Sequence, residues 1–80
     1  MGGQLDILHQ VTLLGILKKQ SDESLDDVLD MLVDTGMYDK TEGKRVLDDL
    51  REQGYVVDDG LSFIGVNAAK EADEFFKKQG

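Results

Sequence analysis

Val46-Leu47-Asp48-Asp49-Leu50-Arg51-Glu52-Gln53-Gly54-Tyr55-Val56 runs directly into Val57-Asp58-Asp59-Gly60-Leu61-Ser62-Phe63-Ile64, and the fold turns on this stretch. Its first half has helical spacing, with Val46, Leu47 and Leu50 on one face. Gly54 closes that helix, and the hydrophobic period then changes. Tyr55-Val56-Val57 and Leu61-Ser62-Phe63-Ile64 are two β-prone runs separated by Asp58-Asp59-Gly60. Asp-Gly between such runs is a short-range hairpin signal. The stretch therefore reads as helix, strand, turn, strand.

Upstream of this stretch, the same helix opens at Asp39 or Thr41, where Asp39 followed by Glu42 reads as a capping box. A preceding helix carries Leu25, Val28, Leu29, Leu32 and Val33 as one stripe. Ser21-Asp22-Glu23-Ser24 supplies capping types at its start, and Gly36 a left-handed cap at its end. The link to the next helix is only about five residues, so the two must turn sharply against each other. Leu5, Ile7, Leu8, Val11, Leu13, Leu14, Ile16 and Leu17 cover a wide arc of a first helix from about Leu5 to Gln20. An arc that wide predicts a helix packed on more than one side. Downstream, Gly65 punctuates and Asn67 is the expected cap of a last helix through Lys78, with Ala68, Ala72, Phe75 and Phe76 as its apolar residues.

Three helices, a hairpin and a closing helix, in the order α-α-α-β-β-α, resemble the winged helix-turn-helix superfamily. The segment Val46 to Val56 is similar to the end of a recognition helix running into the first strand of the wing. Asp58-Asp59-Gly60 would fall at the wing tip. The resemblance spans roughly Leu8 to Phe76 and implies a single mostly-α domain over residues 1–80 with a two-stranded wing. It implies a small regulator-like protein that binds nucleic acid through its third helix, although this fold also serves pure protein contacts. Two departures stand out. The wing lacks the basic residues that usually touch phosphate, and Ile64-Gly65-Val66-Asn67 lacks the Leu-Thr-x-x-Gly junction common in regulators.

Composition narrows the function classes. The chain has 80 residues, no cysteine and one histidine, so disulfides and thiolate metal sites are excluded. No set of acid, base and nucleophile is legible, so no enzyme activity, cofactor or metal is expected. His9 reads as a core-edge or solvent-facing side chain and not as a ligand or base. Ser24 after Glu23 is faintly similar to the phosphopantetheine serine of acyl carrier proteins, but those four-helix bundles have no place for the Tyr55–Ile64 segment. The net charge is −8, which disfavours free nucleic acid and anionic membranes unless positive charge is segregated. The amino terminus lacks a basic signal-peptide region and no apolar run reaches membrane-spanning length, so a cytoplasmic location is expected.

The charge is unevenly spread. On a helical wheel Lys40, Lys44 and Arg51 fall within about 40° of each other, beside the apolar face of the third helix. If the domain binds DNA, Lys40, Thr41, Lys44, Arg45 and Arg51 are the residues expected to reach it. Alternatively these cations simply offset acidic neighbours, as Lys44 would with Asp48. The second helix has the opposite character. Asp22, Asp26, Asp30 and Asp34 recur every four residues with no cation from Asp22 to Asp34. Such like-charge neighbours cost a few tenths of a kcal/mol each. The ladder is either a solvated face or a docking face for a basic protein partner. Carboxylates on one straight helix cannot converge on a metal ion. Adjacent Phe75 and Phe76 cannot share one core, so one is expected to pack on the first helix and the other to serve as a homodimer contact or to cover the end of the sheet.

Overall fold

The computed structural model describes residues 6–79. It contains α1 (Ile7–Lys18), α2 (Leu25–Asp34), α3 (Lys40–Glu52), β1 (Val56–Val57), β2 (Gly60–Leu61) and α4 (Phe63–Gln79). This is the expected mostly-α fold with a small antiparallel hairpin. Leu5, where the first helical pattern begins, lies outside the described residues.

Each helix boundary has a local cause. Asp6 caps α1 by accepting the His9 N–H at 3.0 Å. Ser24 and Asp27 form a reciprocal capping box on α2: the Asp27 N–H donates to Ser24 Oγ, and the Ser24 N–H donates to Asp27 Oδ2. On α3, Asp39 accepts the Glu42 N–H at 2.8 Å. Both α2 and α3 end in Schellman motifs. After α2 the Gly36 N–H reaches Val33 O and the Met37 N–H reaches Leu32 O; after α3 the Gly54 N–H reaches Arg51 O and the Tyr55 N–H reaches Leu50 O. Gly36 and Gly54 take φ of +84° and +85°, the left-handed values these motifs need.

α1 packs against all three other helices and against β2, as its wide apolar arc implies. The core is built from Leu13 and Ile16 of α1, Leu25, Val28, Leu29 and Leu32 of α2, Val46 and Leu50 of α3, Val56 of β1, and Ala69 of α4. Thr12 is fully buried. Its hydroxyl donates to Leu8 O at 2.8 Å, so it accepts from the Tyr38 hydroxyl, 2.7 Å away. A loop residue is thereby tied into the centre of the fold.

The hairpin differs from its sequence reading in two ways. Val56 faces Leu61 and Val57 faces Gly60, so Gly60 is a strand residue and the turn is Asp58-Asp59 alone. The positive φ falls on Asp58, at 50°, a value a short polar side chain tolerates. Phe63 and Ile64, expected in the returning strand, instead begin α4, and Asn67, expected as its cap, lies inside the helix. Ser62 is the reason. Its N–H donates to Tyr55 O at 2.9 Å as a last ladder bond. Its hydroxyl accepts the Gly65 N–H at 3.1 Å and donates to Gly54 O. Helix capping therefore overrides the β-propensity of Phe63-Ile64. Gly65 makes the junction possible, because a β-carbon there would sit 1.9 Å from Tyr55 O.

Candidate interaction site

Gly43, Val46 and Leu50 of α3 turn into the core and Leu47 packs against it, so the polar side chains of α3 are left on its outer faces. Thr41, Lys44, Arg45 and Arg51 are exposed. Among the described residues, no carboxylate lies within 4.0 Å of the Lys44, Arg45 or Arg51 side chains, and Lys44 makes no pair with Asp48. Lys40 is different. Its Nζ lies 2.6 Å from Asp30 Oδ1 and 3.1 Å from Asp26 Oδ1. The hydrogen bonds to Asp30 and then Asp26 raise the Lys40 pKa above its ordinary value. The first cation of the candidate recognition helix is thus committed to the aspartate ladder.

The ladder itself is shorter on the helix than its spacing suggests. Asp22 lies in the turn before Ser24, outside α2, and is exposed. Asp26, Asp30 and Asp34 are the rungs carried by α2. Lys40 neutralises part of the first two, which relieves the like-charge cost that the spacing implies. Asp34 stays exposed at the helix end. Asp27, beside the ladder, is accounted for by the capping box. The acidic face and the amino-terminal half of α3 are therefore neighbours on one surface.

His9 forms a contact that the sequence reading assigned to no role. Nδ1 of its ring meets Asp6 Oδ1, and Nε2 lies 3.2 Å from Asp49 Oδ2 on α3. The side chain is only 15% exposed. Burial works to lower the His9 pKa, but the Asp6 and Asp49 carboxylates outweigh it and hold the pKa above the usual value. Asp6 is in turn held below the ordinary carboxylate range by the His9 ring, against a smaller opposing effect of burial. The Asp6-x-x-His9 spacing at a helix start was the available signal for the first contact. Nothing local signals Asp49, 40 residues away.

On α4, Phe76 is partly buried and Phe75 is half exposed, with their rings edge to face at 5.7 Å. Among the described residues, no group of three or more His, Asp or Glu is placed to hold a metal ion, and no helix is long and apolar enough to cross a membrane. Compared with known protein families, curated proteins and solved structures, the chain gives no match.

Proposed function

We propose that this chain is a winged-helix-type protein-interaction domain, a binding protein and not an enzyme, that engages a basic protein segment through the acidic face of α2. The observation that carries this reading is the Lys40 contact with Asp26 and Asp30. A duplex approaching the amino-terminal half of α3, where a recognition helix normally reads bases, would meet those carboxylates and find one cation already engaged. The hairpin tip offers Asp58 and Asp59 in place of phosphate-binding lysines. A basic polypeptide meets the opposite situation, with Asp30 and Asp34 exposed along its path and long-range attraction from a net charge of −8.

A second reading keeps one specific observation. Lys44, Arg45 and Arg51 are exposed and outside any ion pair among the described residues, so with Thr41 they form the surface that nucleic acid would use. One experiment separates the two. The protein is titrated with a generic DNA duplex and with a lysine-rich peptide at low ionic strength, where counterion release most favours nucleic acid. The peptide is expected to bind and the duplex is not. Combined Asp26→Asn, Asp30→Asn and Asp34→Asn should weaken peptide binding by roughly five- to tenfold. A control of equal charge change, Glu52→Gln with Asp58→Asn and Asp59→Asn, should weaken it far less. Equal losses in both variants would reduce the ladder to a solvated face, and duplex binding would restore the nucleic-acid reading.

A further inference from the structure

α1 and α2 enclose a groove of about 470 Å³. Gly15 lines it. A β-carbon at Gly15 would stand 2.8 Å from Val28 Cγ1 and 3.7 Å from Leu32 Cδ1. The α1 backbone at Gly15 therefore packs directly against the Val28 and Leu32 side chains, with no room for a side chain of its own. Glycine weakens a helix interior by about 1 kcal/mol relative to alanine, yet it stands in the most widely packed helix of the fold. Val11, Leu14, Val28, Met31 and Leu32 supply the apolar walls. Met31 is 51% exposed, a flexible thioether at the mouth of the groove, suited to adapt to an incoming side chain.

The two edges carry opposite charge. Lys18 stands on the α1 edge, its Nζ also 3.7 Å from Asp73 Oδ1 of α4, and Asp27 on the α2 edge, while Lys19 and Glu23 lie in the connection at the closed end. One oxygen of Glu23 and one of Asp27 are used inside the chain, by Gln20 N–H and Ser24 N–H respectively, but the negative charge remains. Behind the α2 edge, the outer face of α2 continues acidic through Asp30 and Asp34. Lys19 Nζ reaches Glu23 O at 3.0 Å, while Gly15 meets Val28 and Leu32, so the helices run in opposite directions and their connection closes one end of the groove.

We propose that this groove docks an amphipathic helix of a partner protein, with its apolar stripe on Leu14 and Met31 and a basic flank lying over α2. The inference rests on the protein-interaction reading and specifies the shape of the partner. An apolar stripe alone would fit in either direction. The edges add a charge asymmetry: cations are favoured above Asp27 and the acidic outer face of α2 and disfavoured above Lys18. A partner with one basic and one acidic flank therefore docks in a single direction. Helix-in-groove recognition of this kind places anchors at i, i+4 and i+7.

The probe is a helical peptide of about four turns with leucines at those positions, lysines on one flank, glutamates on the other, and a nitroxide at its amino terminus. A second peptide has the flanks exchanged. Methyl and amide NMR of the full chain is the readout. Both peptides should shift the Leu14 and Met31 methyl resonances. The nitroxide should broaden the Lys19–Glu23 end with one peptide and the Val11 end with the other. Met31→Lys, at an exposed position that leaves folding intact, should weaken both peptides by about tenfold. The proposal is overturned by undiminished binding to Met31→Lys, by broadening of the same end with both peptides, or by no methyl shift at about 1 mM peptide. Shifts of the same methyls with protein concentration alone would assign the groove to a second copy and also overturn it. Shifts confined to Asp26, Asp30 and Asp34 would overturn the groove while leaving the acidic-face reading standing.

Discussion

A neutral imidazole has one N–H, yet both ring nitrogens of His9 face carboxylate oxygens, so the contact is complete only when the ring is protonated. The sign of the pH dependence follows. The folded-state pKa of His9 is raised above 6.5, so its stabilisation is fully present below 6.5 and is lost as pH rises through the raised value. The Asp6 pKa is lowered below 3.8, so its contribution is present above 3.8 and is lost as pH falls through the lowered value. Melting temperature should therefore be highest between those two values and fall toward pH 8, and His9→Gln should flatten the alkaline fall. A pH series of thermal melts on both proteins checks this. Thr12 and Tyr38 give an asymmetric pair. Tyr38→Phe leaves the Thr12 hydroxyl its bond to Leu8 O and should cost about 1 kcal/mol in urea denaturation. Thr12→Val strands a buried tyrosine hydroxyl and should cost more, up to about 3 kcal/mol.

The junction between hairpin and α4 is where one element depends on a single missing atom. Gly65→Ala would push a β-carbon into the Tyr55 carbonyl, and backbone cannot swing aside as a side chain can. A loss of about 3 kcal/mol, at the upper end of ordinary overpacking costs, is expected. Ser62→Ala removes the cap and should cost about 1–2 kcal/mol. Chemical denaturation of both variants orders the two effects, and a Gly65→Ala loss no larger than that of Ser62→Ala would contradict the close approach. Element by element, what the sequence disclosed depended on whether the cause was local. Ser24, Asp39, Gly36 and Gly54 act on their own helix ends, and the boundaries of α2 and α3 were readable from them. The start of α4 was not, because Phe63-Ile64 has strand character and the competing signal was one serine bonded back to Gly54. The candidate site divides in the same way. The aspartate spacing and the outward cations of α3 were visible as patterns, whereas the bonds from Lys40 to Asp26 and Asp30 and from His9 to Asp49 exist only once α1, α2 and α3 have packed.

At the scale of the whole molecule, net charge acts over the full width of the protein. The described residues extend only 28 × 26 × 23 Å, so at about 0.01 M salt every pair of surface charges lies near or within one Debye length. Seventeen acidic residues against nine basic ones leave repulsion dominant over the few ion pairs. Raising the salt to about 0.2 M should therefore raise the melting temperature by about 3 °C, roughly 0.5 kcal/mol for a domain of this size. A fall instead would mean that contacts such as Lys40 with Asp26 and Asp30 outweigh the net repulsion. The histidine bridge has a practical consequence at this scale. The protein has a single histidine, and its ring spans the contact between α1 and α3. An unlabelled proton spectrum should thus show one set of imidazole resonances whose titration reports whether those helices are together. Any ligand that separates them would announce itself in that one signal, with no isotope, dye or engineered reporter added to the chain.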